Sequence, residues 1–317
     1  MSEVDDGGAG AFEAARPKLM AIAYRLLGSA VEAEDVIGDV AERWSATDRD
    51  AVRTPEAWLV TATTRRALDV LRSARLQRES YPGVWLPEPI ATGDGPDERI
   101  ERGETLTMGF LLLLERLTPL ERAVFVLHDV LDHPYREIAE AVGRGEAACR
   151  QAVHRARRHV AVPARQTPAD KAHAARVAEH FLAAGLGGDV DAFVAALAPD
   201  VVLTSDGGGL VHAAVRPVVG AERVSRFLGN LAARFADDMY VAALELNASP
   251  GFVVQAGGAW SALILEVRGD HVVAIRAVAS PPKLERLLAT LPGNAARTGA
   301  WETPGRLRHR KGHPAGP

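Results

Sequence analysis

The 317-residue chain contains a single cysteine, Cys149. It therefore has no internal disulfide and no cysteine-built zinc cluster, which suits a reducing compartment. Long apolar runs are missing too. The longest aliphatic stretch, Phe110 to Leu114, is far too short to cross a bilayer, and the opening MSEVDDGGAG is acidic and polar rather than a signal peptide. The expected location is the cytoplasm, with no membrane partner. Positive charge is not in excess: 37 Lys and Arg face 41 Asp and Glu, a formal net charge of -4. A nucleic-acid function is invisible in that total and has to be sought in how the charge is distributed. No set of metal ligands is recognisable, and no cofactor is expected.

What is present is punctuation. Ser29 with Glu32, and Thr118 with Pro119 and Glu121, read as capping boxes, while Thr54 followed by Pro55 offers a cap and a proline at the first helical position. Helical apolar periodicity follows each. It predicts helices over Phe12 to Leu27, Ala30 to Trp44, Pro55 to Arg75, Leu106 to Leu117, Pro119 to Val130, Pro134 to Val142 and Glu146 to Val160. Two all-α domains, 11–76 and 106–160, are separated by a proline- and glycine-bearing linker, 77–105.

A second joint at 161–170 precedes a change of period. Ala172 to Leu186, Val190 to Leu197 and Ala221 to Phe235 read as helices. VVLTSD, VHAAVRP, YVAALELN, FVVQAG, SALILEVRG and HVVAIRAVAS read as strands, and the tail 291–317 as disordered. The fold class is multidomain: two helical domains, then an α+β cone, a curved antiparallel sheet wrapped by helices over 171–290.

The charge that the total conceals lies in CRQAVHRARRH, residues 149–159. On a helix, Cys149, Ala152, Val153, Ala156 and Val160 share one side, and Arg150, Gln151, His154, Arg155, Arg157 and Arg158 the other. Upstream stand a short helix, YREIAEAV, and the turn GRG, so the pair has helix-turn-helix layout. The second helix of such a pair fits a major groove, where Gln151 reads a base edge and arginines grip guanine or phosphate. A solvated face is the plainer reading, but five arginines from Arg144 to Arg158 opposed by Glu146 alone leave few carboxylate partners. Cys149 reads as a core thiol.

The helix from Pro55 carries Thr61, Arg65, Asp69 and Arg72 along one stripe, where pairing of Asp69 with both arginines competes with phosphate contact. The preceding helix bears the acidic stripe Glu32, Asp35, Asp39 and Glu42. That face repels DNA and suits a basic protein partner, or water alone.

AYRLLGSAVEAEDVIGDVAERW, TPEAWLVTATTRRALDVLRSAR and LTPLERAVFVLHDVLDHPYREIAEAVGRGEAACRQAVHRARR resemble, in order, the two conserved domains of extracytoplasmic-function sigma factors of bacterial RNA polymerase. The resemblance implies that Asp35, Asp39 and Glu42 engage core RNA polymerase. It implies that the segment from Asp48 to Arg75, with Arg65, Arg66 and Arg72, melts and reads the downstream promoter element, and that the Arg150 helix reads the upstream one. The 29 linker residues reach up to about 95 Å, enough for the roughly 68 Å of about 20 base pairs.

Residues 170–290 resemble the SnoaL-like domain that one subgroup of these factors carries. Its WLPEP motif is intact at Trp85 to Pro89. Its DGGGK and NPDKL motifs are altered, to Asp206, Gly207, Gly208, Gly209 and Leu210, and to Ser280, Pro281, Pro282, Lys283 and Leu284. The resemblance implies a regulatory interdomain role for Trp85, Leu86, Pro87, Asp206, Gly207, Gly208 and Lys283. From the residues alone, Asp206-Gly207 is first a hairpin-turn signal, Trp85 is an apolar arm in need of a docking surface, and His212 and Trp260 are core residues before they are pocket linings. The expected function is a non-enzymatic sigma factor. The alternative is a helix-turn-helix regulator whose cone binds or transforms a small molecule.

Overall fold

In a computed structural model of the chain, residues 6–92, 106–160, 170–235 and 239–291 are described. Three helices open the fold: α1 (Asp6–Leu27), α2 (Ala30–Ser45) and α3 (Pro55–Glu79). α2 buries Ala30, Ala33, Val36, Ile37, Val40 and Trp44, the apolar stripe of its sequence, and Trp44 meets Trp58 of α3 with ring centroids 5.2 Å apart. Four more helices follow: α4 (Met108–Leu114), α5 (Pro119–Phe125), α6 (Tyr135–Val142) and α7 (Glu146–His159), with a π-helical turn at Val126–Val130 between α5 and α6. One apolar core runs through both groups, joining Leu26, Leu59 and Leu68 to Leu111, Phe125, Ile138 and Ala152. At about 1.5–3 kcal/mol for each large aliphatic side chain buried, this shared core holds the two helical groups together.

α8 (Lys171–Gly187) and α9 (Val190–Ala195) lead into β1 (Leu197–Asp206), the two-residue β2 (Val218–Val219), α10 (Ala221–Arg234), β3 (Met239–Leu246), β4 (Ser249–Ala256), β5 (Ala259–Arg268), β6 (His271–Val278) and α11 (Pro281–Thr290). The six strands form one sheet, ordered β2-β1-β6-β5-β4-β3, in which β1 and β6 run parallel and all other pairs antiparallel. Alternation along β5 separates its faces. Leu263 and Leu265 join Phe181, Phe193, Leu203, Val224 and Phe252 beneath α8, α9 and α10, and these side chains fill the cone. Ala262 and Ile264 point the other way, to Leu86 of the linker, Met108 of α4, and Leu284 and Leu287 of α11. The outer face of the sheet is therefore the surface on which linker and helical domains sit.

Several features differ from expectation. The sheet, expected to be antiparallel, is mixed, because β1 and β6 run parallel, and Leu197, expected to end a helix, opens β1. VHAAVRP is a loop rather than a strand, because the Ser205 hydroxyl binds the Ala214 amide (2.8 Å) and its carbonyl (3.3 Å), leaving only Val218 and Val219 to pair with β1. Residues 281–290, read only as a motif, form α11, whose two prolines occupy the first helical positions, where a missing N–H costs nothing. The helix expected to end at Arg75 continues to Glu79. Residues 292–317 of the expected tail, together with 93–105 and 161–169 of the joints, lie outside the described residues.

Candidate functional site

The helix pair at the end of the second helical domain is built by glycine and small apolar residues. α6 ends on Gly143 in the left-handed region (φ 64°, ψ 40°), which a side chain would strain. α7 starts after Gly145 and buries Cys149, Ala152, Val153 and Ala156. The Cys149 thiol is 1% exposed, and burial pushes its pKa up. All six outward candidates on α7 are exposed, but they are not equally free. Arg157 makes a bidentate pair with Asp129 (2.7 Å each), Arg155 binds Glu121 (3.0 Å), and Arg150 binds Glu146 (3.1 Å) while lying 5.5 Å from the Tyr135 ring. Gln151, His154 and Arg158 engage no described side chain.

On the first helical domain, Asp35 and Glu42 project from α2 into solvent. Asp39 is half-exposed and pairs with Arg66 of α3 at 2.5 Å. Of the two arginines expected beside Asp69, only Arg72 pairs with it (2.8 Å). Arg65 instead donates to the Glu140 and Ala141 carbonyls at 2.8 and 3.3 Å. It thus joins α3 to the C-terminal turn of α6, the negative end of that helix, which attracts a cation.

Trp85, Leu86, Pro87, Asp206, Gly207, Gly208 and Lys283 come together at one junction. Asp206 closes β1 with a carboxylate that is wholly buried. It accepts hydrogen bonds from the Tyr81 hydroxyl (2.7 Å), the Leu86 amide (2.8 Å) and the Gly208 amide (3.0 Å), and pairs with Lys283 Nζ at 2.7 Å. Lys283 also donates to the Leu86 carbonyl. Burial lowers its pKa, while Asp206 acts in the opposite direction. The Trp85 ring lies between two cations, the Arg78 guanidinium at 3.7 Å and Lys283 Nζ at 4.3 Å. Against the edge of the ring is Gly28 (φ 69°), where a Cβ would stand 2.8 Å from Trp85 Cη2. Arg78 continues the network to Glu115 at 2.7 Å, and Glu115 also pairs with buried Arg122. Leu210, in place of the motif's cation, points outward and is 66% exposed. His212 is exposed on the loop after β1, whereas Trp260 stacks edge-on to Tyr240 on the outer sheet face, so the two share no site.

Residues 11–77 match the family model for sigma-70 region 2, and residues 108–160 the model for sigma-70 region 4. The ECF RNA polymerase sigma factor SigJ of Mycobacterium tuberculosis is 42% identical over 234 residues, 72% of this chain and 74% of that protein. The chain belongs to the extracytoplasmic-function (ECF) RNA polymerase sigma factors. A second relative in that organism, the probable ECF RNA polymerase sigma factor SigI, is 33% identical over 224 residues, 68% of this chain and 73% of that protein. The crystal structure of M. tuberculosis SigJ superposes with a TM-score of 0.71 at 34% identity, covering 87% of this chain and 98% of that one. α1 to α3 are thus region 2 and α4 to α7 region 4 of an ECF sigma factor, followed by the α+β cone of the SnoaL-like subgroup.

The junction contains residues that the sequence reading passed over. Tyr24, Glu88 and Asn247 are 0%, 2% and 0% exposed, and the Tyr24 hydroxyl joins the other two, donating to the Glu88 carbonyl and accepting from Asn247. Asn247 carried one usable signal, as the last residue of YVAALELN at a turn, since asparagine tolerates the left-handed backbone it adopts here (φ 50°). Glu88 carried none beyond its place in WLPEP.

Proposed function

We propose that this ECF sigma factor binds core RNA polymerase through the α2 stripe of Asp35, Asp39 and Glu42, and reads promoter DNA with two surfaces. The upstream element is read by α7, where Gln151 and His154 face base edges and Arg150, Arg155, Arg157 and Arg158 supply phosphate contacts. The downstream element falls to the segment leading into α3 and to Arg65, Arg66 and Arg72. The observation that carries this reading is the exposed polar face of α7, held outward by a glycine-turned helix pair within a chain that also presents an open acidic helix. Arg65 is engaged on α6, so its use on DNA requires regions 2 and 4 to part.

The cone has an organising role in this reading. Its Asp206 and Lys283 hold the linker at Tyr81, Trp85 and Leu86, and the linker in turn touches region 2. Apolar side chains fill the cone's interior, and nothing among the described residues favours catalysis or a small-molecule ligand over this role. Run-off transcription with reconstituted core polymerase tests the proposal. The full-length chain is expected to start transcripts at a cognate promoter, and failure at every promoter tried, together with no co-purification with core enzyme, overturns it.

A further inference from the structure

The first turn of α2 has three backbone N–H groups with no intrahelical acceptor, those of Ala30, Val31 and Glu32, since the Ala33 amide already binds the Ser29 carbonyl. The Ser29 hydroxyl accepts from the Glu32 amide at 3.2 Å. The other two amides are satisfied from the linker. Oε2 of Glu88 accepts from Ala30 at 2.8 Å, from Val31 at 3.2 Å and from the Ser29 hydroxyl at 3.0 Å. Glu32, which a capping box would fold back onto residue 29, turns instead toward Arg78 at 3.9 Å. A buried carboxylate 58 residues downstream therefore stands at the positive end of the candidate polymerase-binding helix.

Region 2 holds the Glu88 backbone directly, and the cone reaches it through Tyr24 and the neighbouring Ile90. Its amide donates to the Gly28 carbonyl (2.8 Å), and its carbonyl accepts from the Tyr24 hydroxyl (2.8 Å). That hydroxyl accepts from Asn247 Nδ2 at 2.7 Å. Asn247 lies in the turn between β3 and β4. It exchanges two hydrogen bonds with Ile90 of the linker, Ile90 N to Oδ1 (3.1 Å) and Asn247 N to the Ile90 carbonyl (2.9 Å), and donates to the Leu106 carbonyl at the entrance to region 4 (3.2 Å). One residue of the cone thus binds region 2, the linker and region 4.

We propose that Glu88 is the N-terminal cap of α2, delivered by the linker, and that Asn247 is the positioning residue that holds it there, so that the order of the α2 first turn depends on the cone being docked. The functional half rests on α2 being the polymerase-binding helix; the capping half does not. Docking of the cone then supports core binding, because an uncapped first turn frays at the end of α2 that carries Val31 and Asp35.

The test uses the full-length chain and three variants, with two readouts. Amide hydrogen exchange is followed at Ala30 and Val31, and affinity for core polymerase is measured in parallel. Glu88→Ala is expected to raise exchange at these two amides about fivefold, the factor to which the typical cost of a lost side-chain cap, about 1 kcal/mol, converts, while Glu88→Gln, which keeps an acceptor oxygen, stays within about threefold of wild type. Asn247→Ala is expected to raise exchange at the same amides although it touches neither. Core affinity should fall severalfold in Glu88→Ala and recover in Glu88→Gln. Unchanged exchange at Ala30 and Val31 in Glu88→Ala, or equal exchange in the Ala and Gln variants, overturns the cap, and a silent Asn247→Ala overturns the positioning role. Asp35→Lys separates the two layers. If it binds core like wild type, the polymerase reading of α2 fails while the exchange results still decide the cap.

Discussion

Arg66 on α3 and Asp39 on α2 form an ion pair at 2.5 Å, which ties a residue proposed to contact DNA to one proposed to contact polymerase. Both side chains are more than a third exposed (36% and 42%), so solvent screens the pair and its contribution to stability is expected to be below about 1 kcal/mol. Asp39→Asn and Arg66→Gln should each shift the unfolding midpoint only slightly, with a comparably small coupling in the double mutant. Function should separate them. Asp39→Asn is expected to weaken core binding severalfold and Arg66→Gln to leave it alone, and equal losses in both would remove the assignment of Asp39.

The arginines of α7 should differ in how much they add to the salt dependence of promoter binding. Arg158 pairs with no carboxylate among the described residues, so Arg158→Ala should lower the slope of log K against log salt by about 0.9, the value for one phosphate contact. Arg157 is held by Asp129, and that hydrogen-bonded pair raises its pKa. Asp129→Asn should therefore release it and strengthen DNA binding at low salt. Gln151→Ala is expected to change sequence preference with little change in slope. A titration of each variant against cognate and scrambled duplexes reads all three effects, and an unaltered slope in Arg158→Ala removes that residue from the phosphate contacts.

The difference between α7 and the junction shows what a sequence exposes. Thr118, Pro119 and Glu121 announced α5 because a capping box is local: Thr118 Oγ1 accepts from the Glu121 amide, and the Glu121 carboxylate returns to the Thr118 amide. The polar face of α7 was legible for the same reason, since its period is written in consecutive residues. Ser29 with Glu32 looked identical and was half right: Ser29 accepts from the Glu32 amide, but the Glu32 carboxylate turns to Arg78, and the carboxylate at this helix end is that of Glu88, on the Ala30 and Val31 amides. No periodicity links residues 88 and 30, or 247 and 24; only the docked fold does. The loop over 211–217 was misread because an alternating apolar pattern says nothing of Ser205, whose hydroxyl takes the Ala214 backbone groups that a ladder would need. α11 was missed because paired prolines signal a break before they signal a first turn. The residues alone offered a turn at Asp206 and an apolar arm at Trp85; an interdomain role for them and for Lys283 was legible only through family resemblance, and their convergence on one carboxylate was not legible at all.

That carboxylate makes the strongest stability forecast. Asp206 is fully buried and Lys283 nearly so, with 14% of its side chain exposed. Removing the ammonium strands a charge away from water, at a cost of about 3–5 kcal/mol. Lys283→Met should lower the melting temperature by several degrees and change the emission of Trp85, which loses one of its two flanking cations. Asp206→Asn combined with Lys283→Met should cost less than the two single changes together, because the second removes the charge that the first orphaned. A melting temperature unchanged in Lys283→Met would mean that the junction is open in solution.

The junction should also respond to pH, in a direction fixed by its glutamates. Burial raises the pKa of Glu88 against the lowering effect of the Val31, Ser29 and Ala30 hydrogen bonds and of Arg286. Burial likewise raises Glu32, opposed by Arg78 and Lys283 and assisted by Glu88 and Asp35. A carboxyl whose folded pKa lies above its unfolded one binds its proton more tightly when docked. Its contribution is complete below the unfolded value and is lost as pH rises through the folded value. Elsewhere the sign reverses. At Glu121, burial is outweighed by the Thr118 and Arg155 hydrogen bonds, which hold the carboxyl low, so that its contribution disappears as pH falls. Comparison of wild type with Glu88→Gln cancels such background. As pH rises above the ordinary glutamate range, wild type should lose stability relative to Glu88→Gln. Chemical denaturation of both proteins from that range upward measures the difference, and a difference that grows in favour of wild type toward higher pH would show that the three hydrogen bonds, not burial, govern Glu88.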